Sequence, residues 1–177
     1  TIGFVGRFSY EKGIKHLLLS VPFLQKSLSN FKIVFVGPLN PVGETYYQNL
    51  QPLIKKYQKH LIFLGSIPAG KIVNFYKSVD VLVLPSVNRT EAFGMVQVEA
   101  LLCGVPVVTT DIPGVRQTVL LTGGGVTIPP RNPQKLAHAI TQVILNSGSY
   151  TPHHLDIFSL LEFKKRIAEL LISNKLT

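Results

Sequence analysis

The sequence predicts an α/β fold: a doubly wound, Rossmann-like parallel sheet of six strands with helices on both faces. Six short apolar, β-branched runs recur along the chain, and segments with helical spacing separate them. Each run is apolar throughout rather than at alternate positions, which is typical of parallel strands covered on both faces. Strands that alternate with helices in this way form successive βαβ units.

The boundaries of the elements follow from these runs and from the glycines and prolines between them. The predicted strands cover residues 1–6, 31–37, 60–65, 79–85, 105–110 and 125–129. Helices are predicted over 11–29, 43–59, 69–78, 94–103, 113–120 and 133–147, and a closing amphipathic helix over 155–176. Pro22 lies inside the first of them and deprives the Leu18 carbonyl of its donor, so we expect that helix to be kinked or shortened.

Composition favours one soluble domain over residues 1–177, because 46% apolar residues can build a core. The formal net charge of +9 predicts a negative partner, such as phosphate, nucleic acid or anionic lipid. A single cysteine excludes an internal disulfide, and the five histidines lack metal-ligand spacing. We therefore expect an intracellular setting. The chain opens on a strand without a signal-peptide pattern, and we interpret it as a piece of a longer protein.

The loop after the first predicted strand carries two cations. In such sheets ligands bind outside the carboxyl ends of the strands, where the winding direction reverses. The stretch GRFSYEKG (6–13) places Arg7 directly after Gly6, with Lys12 near the next helix, so both cations can face one pocket beside helix amides. This is the composition of a diphosphate grip, although a surface loop with solvated charges also fits these residues.

The stretch TEAFGMVQVEAL (90–101) places two carboxylates at a loop-to-helix junction. Glu91 falls in the loop and Glu99 on the helix. A helical carboxylate can accept two hydrogen bonds from a vicinal diol such as that of ribose, and a loop carboxylate can accept hydroxyls of a further sugar. Backbone N–H groups near Phe93, Gly94, Met95 and Val96 would face a phosphate or a hydroxyl.

Glu99 also lies in the most apolar predicted helix, which we expect to be packed on both sides. A carboxylate in such surroundings needs a hydrogen-bond partner. An internal arginine or a ligand would serve, and the sequence leaves both open.

Three motifs occur in order across nearly the whole chain: Arg7-x4-Lys12-Gly13, Glu91-Ala-Phe-Gly-x4-Glu99-Ala100, and Gly104-x-Pro106-Val107-Val108. A later stretch, GGGVTIPPRNPQKLAHAI (123–140), follows them. Together they resemble the carboxyl-terminal, donor-binding domain of retaining GT-B glycosyltransferases of the family four type, the glycosyl transferases group 1.

The resemblance implies the donor-binding half of a hexosyltransferase-type enzyme of carbohydrate or glycolipid biosynthesis. Such an enzyme moves a sugar from a nucleotide-diphosphate sugar to an acceptor hydroxyl, with retention at the anomeric carbon. The catalytic residues it implies are Arg7 and Lys12, which would neutralise the diphosphate, and Glu91, which would reach the donor sugar. The resemblance also implies a set of donor-binding residues. They would bind the ribose, border the base or let the backbone come close to the donor: Glu99, Gly6, Ile67, Phe93, Gly94, Met95 and Val96. No metal or other cofactor would be needed, because the two cations would take the place of a divalent ion.

The resemblance also implies a missing partner. Family members hold the acceptor in an amino-terminal Rossmann-like domain, which these 177 residues do not contain. We therefore expect the fragment to bind donor and to have little or no transferase activity alone. A cytoplasmic location is expected, with a peripheral contact to anionic membrane as an option, since many relatives act on lipid-linked acceptors. The base, the sugar and the acceptor stay open.

One loop departs from the family pattern. Relatives often carry Gly-Gly and an acidic residue after the fifth strand, whereas this chain reads Pro113-Gly114-Val115-Arg116-Gln117. The sequence assigns this loop no role.

Two other functions compete with this hypothesis. The first is a non-catalytic basic module that docks on nucleic acid or anionic membrane. The dense basic run KKYQKH (55–60) lies on a predicted helix where a solvated face explains the charge, and nucleic acid is disfavoured. The second is a nicotinamide-dependent dehydrogenase, which the missing glycine fingerprint and the sequence Gly37-Pro38-Leu39 after the second strand argue against.

Overall fold

The computed structural model describes residues 1–39, 45–159 and 161. Its six strands form one sheet in the order β3-β2-β1-β4-β5-β6, and every neighbouring pair is parallel. The strands are β1 (Ile2–Val5), β2 (Ile33–Val36), β3 (Leu61–Gly65), β4 (Val81–Leu84), β5 (Val107–Thr110) and β6 (Gly125–Ile128). The predicted doubly wound fold and all six predicted strands are confirmed.

Seven α-helices in the described residues cover the two faces of this sheet. They are α1 (Ile14–Ser27), α2 (Tyr46–Asn49), α3 (Gln51–Tyr57), α4 (Ile72–Lys77), α5 (Met95–Leu102), α6 (Val115–Thr122) and α7 (Pro133–Leu145). Two hydrophobic clusters define the layers. One joins the sheet to α1, α3 and α7, and the other joins it to α4, α5 and α6. Helices therefore lie on both faces.

Continuous burial of the strands holds for the centre of the sheet and fails at its edge. The side chains of β2, β4 and β5 are buried throughout. In β3, by contrast, Ile62 is 39% and Leu64 is 50% exposed. The reason is that β3 is an edge strand and has a neighbour on one side only.

The first predicted helix divides into two parts. A 3-10 turn (Tyr10–Lys12) ends at Gly13, whose φ of 68° is left-handed, and α1 begins after it. The helix is not shortened at Pro22, because α1 continues to Ser27, and the alternative expectation of a kink stays a prediction. Val21 and Leu24 are buried on either side of Pro22. Such tertiary packing supplies most of the stability of a helix in a protein.

Two other predicted helices differ in the structure. The helix predicted over 43–59 is divided into α2, α3 and a 3-10 turn (Gln58–His60), and its first two positions lie outside the described residues. Of the closing helix predicted over 155–176, the structure describes a 3-10 turn (Leu155–Phe158) and residues 159 and 161. Residues 160 and 162–176 lie outside the described part.

The winding direction reverses between β1 and β4, so the loops that follow these two strands lie side by side. They are in direct contact. The backbone N–H of Val87 donates to the carbonyl of Glu11 at 2.9 Å. A Cβ atom at Gly13 would lie 1.8 Å from the carbonyl oxygen of Pro85. The fold thereby brings the two loops that sequence analysis singled out to one place.

Candidate functional site

A cleft of about 410 Å³ opens where the β1 and β4 loops meet. Its lining residues are Arg7, Glu11, Lys12, Thr90 and Glu91. Four of these five side chains are ionisable, two as cations and two as carboxylates. The cleft lies at the carboxyl ends of the central strands, which is where ligands bind in a doubly wound sheet.

Lys12 and Glu91 form an ion pair that connects the two loops. The Nζ atom of Lys12 donates a hydrogen bond to Oε2 of Glu91. The two side chains are only 18% and 11% exposed. The hydroxyl of Ser86 donates to the same Oε2 at 3.4 Å. A largely buried cation and a largely buried carboxylate are therefore held together at the centre of the cleft.

Arg7 and Glu11 form a second, more open pair at the rim. The Nη2 atom of Arg7 donates to Oε1 of Glu11 at 3.1 Å, and the side chains are 58% and 23% exposed. Burial alone would raise the pKa of Glu11. Hydrogen bonds from the Ser9 hydroxyl and from its own backbone N–H, with the charges of Arg7 and Lys12, outweigh burial and lower that pKa. Glu11 is thus held as a carboxylate between the two cations.

The start of α5 is fixed by two close contacts. Gly94 precedes the helix with a left-handed φ of 76°, and a Cβ atom there would lie 2.4 Å from Cδ2 of Leu84. The fully buried Gln97 donates from Nε2 to the carbonyl of Phe93 at 2.9 Å and to that of Val115 at 3.1 Å. In the first turn of α5 the backbone N–H of Gln97 donates to the carbonyl of Gly94 at 2.9 Å, whereas Met95 and Val96 come before the point at which helical acceptors begin.

Glu99 has an internal hydrogen-bond partner that sequence analysis did not name. The hydroxyl of Tyr76, on α4, donates to Oε2 of Glu99 at 2.6 Å. The expectation that α5 is packed on both sides is wrong, because Glu99 is exposed, as are Met95 and Leu102, each by 59%. Among the described residues, the side of α5 that carries Met95, Glu99 and Leu102 is left open, and the Tyr76 hydroxyl reaches Glu99 there without covering it.

The structure brings three of the ten predicted site residues together in one cleft. Arg7, Lys12 and Glu91 line one cleft. The remaining predicted residues are not among its lining side chains: Gly6, Ile67, Phe93, Gly94, Met95, Val96 and Glu99.

Gly6 and Ile67 follow β1 and β3, two strands that β2 separates in the sheet. Gly6 follows β1 with a φ of 154°, and a Cβ atom at Gly37 would lie 2.1 Å from its carbonyl oxygen. Ile67 follows β3 and packs, partly buried, against the cluster that includes Val36 and Phe75. The absence of a side chain at Gly37 thus lets the loops after β1 and β2 pack closely, and the close approach of Gly6 to a donor stays a prediction.

The loop that departs from the family pattern supports the β4 loop. A Cβ atom at Gly114 would lie 1.7 Å from the carbonyl oxygen of Ala92, next to Glu91. Arg116 is paired with Asp111, from Nη1 to Oδ1 at 2.8 Å. The loop therefore contacts the backbone beside the cleft, while its cation has a local partner.

Two residues of this arrangement escaped sequence analysis. The sequence places Glu11 at the start of a predicted helix and Arg7 in the loop before it, so the helical i,i+4 spacing rule does not link the two. Tyr76 gave no signal either, because it lies 23 residues before Glu99 and on another helix.

Within the described ranges, no three histidine, cysteine, aspartate or glutamate side chains are grouped so that they could hold a metal ion. Whether the protein works without a metal stays a prediction. No helix in the same part of the chain combines the length and the apolar composition that crossing a membrane would require.

The fold and the sequence both match known proteins. An uncharacterised glycosyltransferase of Methanocaldococcus jannaschii is 32% identical over 145 residues, which cover 82% of this chain and 36% of that protein. The D-inositol 3-phosphate glycosyltransferase of Corynebacterium jeikeium is 31% identical over 170 residues, or 89% of this chain and 40% of that protein. The chain thus spans about two fifths or less of these relatives.

A solved structure with a similar fold agrees with these sequence matches. HepE from Anabaena, solved in complex with UDP-glucose, superposes with a TM-score of 0.79 at 26% identity, over 97% of this chain and 48% of that one. Residues 1–156 match the family described as glycosyl transferases group 1. Because that match takes in most of the chain, the protein belongs to the glycosyl transferases group 1 family.

Proposed function

We propose that this chain is the donor-binding half of a retaining glycosyltransferase, which moves a sugar from a nucleotide-diphosphate sugar to an acceptor hydroxyl. The observation that carries the proposal is the cleft at the switch point of the sheet, where Arg7, Lys12 and Glu91 converge. These are the residues that the family resemblance marks for the diphosphate and the donor sugar.

Arg7 and Lys12 would bind the diphosphate and stabilise it as a leaving group. Negative charge builds on the diphosphate as the glycosidic bond breaks, and preorganised cations lower that barrier electrostatically. Lys12 is already held by Glu91 at the centre of the cleft, and Arg7 is held by Glu11 at its rim. No metal is required in this scheme.

The β4 loop and α5 would hold the rest of the donor. Glu99 would accept the ribose hydroxyls, and Glu91, with backbone N–H groups from Phe93 to Val96, would bind the donor sugar. Ile67 would border the base at the end of β3. The contacts of Gln97 with the backbone on both sides support this proposal, because they fix the loop that carries these groups.

The complexes of the structural relatives indicate which donor to test first. HepE has been solved with UDP and with UDP-glucose. A uridine diphosphate sugar is therefore the first candidate donor for this chain, and guanosine and adenosine diphosphates are the comparison.

The acceptor-binding domain is the partner that the proposal requires. The chain spans 48% of HepE and 40% of the D-inositol 3-phosphate glycosyltransferase. We expect these 177 residues to bind donor nucleotide, and transfer to require an amino-terminal half. Adding such a half from a relative in trans, or by fusion, would test for recovered transfer.

Calorimetric titration of UDP, GDP and ADP into the isolated chain tests donor binding. We expect one of the three to bind, and Arg7→Ala and Glu99→Ala each to weaken that binding at least tenfold, or about 1.4 kcal/mol. The proposal would lose its basis if the wild type bound none of the three nucleotides at low salt. It would also lose its basis if both substitutions left the binding unchanged.

The same titrations separate the alternative of a basic docking module. Such a module would lose affinity steeply with salt and would not distinguish bases. The exposed lysines at the end of α3, Lys55, Lys56 and Lys59, offer a basic face of this kind. A cytoplasmic location with peripheral contact to anionic membrane belongs to our proposal as well, and cosedimentation with phosphatidylserine vesicles tests that contact.

A further inference from the structure

We propose that Tyr76 is a positioning residue for ribose recognition, whose hydroxyl fixes Glu99 so that the site selects ribonucleoside over 2′-deoxyribonucleoside diphosphates. The proposal rests on the proposed function, in which Glu99 accepts the ribose hydroxyls. To that function it adds Tyr76, a residue on a helix other than that of Glu99, and a preference for ribonucleotides. Both can be tested by measuring binding, without transferase activity.

The contact between the two residues is a short, charge-assisted hydrogen bond. The Tyr76 hydroxyl lies 2.6 Å from Oε2 of Glu99. Bonds from a hydroxyl to a carboxylate have lengths of about 2.5–2.7 Å and are roughly twice as strong as neutral ones. The bond also links α4 to α5, so the carboxylate is tied to an element other than its own helix.

Packing holds the side chain of Tyr76 in place, whereas the side chain of Glu99 has no such packing. Tyr76 is 1% exposed and packs in the cluster between the sheet and α4–α6, with its ring centroid 5.8 Å from that of Phe75. Glu99 is exposed, and an exposed glutamate samples many rotamers unless something restrains it. Tyr76 therefore restricts the orientation of a side chain that solvent alone would leave free to turn.

The bond leaves the capacity that a diol needs. A carboxylate has about four acceptor positions on two oxygens, and a phenol hydroxyl takes one of them. Oε1 and the remaining position on Oε2 can then accept the two hydroxyls of a ribose. A carboxylate with a fixed orientation accepts both at once, and one that turns freely does not.

Tyr76 keeps its donor role across the working pH range. Burial, followed by the hydrogen bond and the charge of Glu99, raises the pKa of the Tyr76 hydroxyl far above its ordinary value of 10.0. The phenol therefore stays protonated, and its proton points at the carboxylate.

Calorimetry with UDP and 2′-deoxyuridine diphosphate tests the proposal in the wild type, Tyr76→Phe, Glu99→Gln and the double variant. We expect the wild type to prefer UDP about tenfold, the change of one good hydrogen bond. Tyr76→Phe should reduce that preference to about threefold or less while affecting the deoxynucleotide less. In the Glu99→Gln background the same substitution should have no further effect on the ratio.

Tyr57→Phe is the matched control, because it removes a hydroxyl from another buried tyrosine on the opposite face of the sheet. It should leave the preference unchanged. If Tyr76→Phe does not fold, Glu99→Asp draws the carboxylate back from Tyr76 on an exposed side chain, and it should lower the preference in the same way.

The outcomes separate the two proposals. A wild type that binds UDP with a clear ribose preference, which Tyr76→Phe or Glu99→Asp leaves intact, overturns the role of Tyr76 and keeps the proposed function. A wild type that binds none of UDP, GDP or ADP contradicts the proposed function itself. Binding without ribose preference contradicts the role of Glu99, and the inference on Tyr76 with it.

Discussion

Each cation of the cleft has a carboxylate beside it. Lys12 is paired with Glu91 and Arg7 with Glu11, so both cations are oriented before any ligand arrives. The sequence alone predicts separate tasks for the cations and for the acids. The structure shows that the acids also position the cations, which is a role that a linear pattern does not reveal for Glu91, 79 positions away from Lys12.

Replacing Glu11 with glutamine should weaken diphosphate binding by about three- to tenfold, because Arg7 would lose the charge that orients it. Titration calorimetry with UDP measures this change. The substitution should also lower the stability at neutral pH. Because the pKa of Glu11 is lowered from its ordinary 4.5, its contribution to stability is present above that value and is lost as the pH falls through the folded-state pKa.

The control for this substitution is Asp80→Asn, which removes one exposed carboxylate at the amino end of β4, whereas the cleft lies at the carboxyl ends of the strands. It should leave the affinity for UDP unchanged. Each substitution makes the chain one charge more positive, so an affinity set by overall charge alone would rise equally in both variants, and that result would contradict the role of Glu11 in orienting Arg7.

At the scale of elements, local patterns predicted what local forces decide. The continuous apolar runs located all six strands, and Gly94 and Gly104 bracketed α5. The sequence was less informative where tertiary contacts decide. Packing of Val21 and Leu24 outweighs the helix-breaking effect of Pro22, and the exposed side of α5 depends on which neighbours cover it.

The support of the cleft by the Gly114 loop can be tested by substitution. Gly114→Ala places a Cβ atom 1.7 Å from the carbonyl oxygen of Ala92, so the backbone beside Glu91 must move. We expect a loss of stability of about 1–3 kcal/mol, as for other overpacked sites, with weaker UDP binding in the variant that remains folded. Urea unfolding and calorimetry measure the two effects.

Gly148→Ala is the matched control, since a Cβ atom at Gly148 meets nothing within 4 Å. It should be close to wild type in both assays. If Gly114→Ala were as stable as the wild type, the Gly114 loop and the β4 loop could move apart without a cost in stability. That result would contradict the supporting role of the Gly114 loop.

At the scale of the whole molecule, the excess positive charge lies outside the cleft. The chain has a formal net charge of +9. In the cleft, the charges of Arg7 and Lys12 balance those of Glu11 and Glu91, so the four ionisable lining residues sum to zero. Composition predicted an anionic partner, and only the structure shows that the cleft itself does not carry the surplus.

This distribution makes a kinetic prediction. Attraction of an anionic donor over long distance should come from the surrounding surface, and salt screens such attraction with a length of about 10 Å at 0.1 M. Raising the salt concentration should therefore slow the association of UDP severalfold and change its dissociation little, as measured by stopped-flow fluorescence with a labelled nucleotide. Uridine, which is uncharged, is the control. A salt effect confined to the dissociation rate would contradict this account.

The ion pair between Lys12 and Glu91 has a consequence for turnover. A cation that is only 18% exposed and had no internal partner would retain a spent diphosphate tightly, because the departing anion would leave an uncompensated charge behind. Glu91 lies beside Lys12 and can form the ion pair with it again when the diphosphate leaves. In the proposed reaction, the carboxylate of Glu91 takes the place of the departing diphosphate beside Lys12, which lowers the free-energy cost of product release. Product release limits the rate of many enzymes.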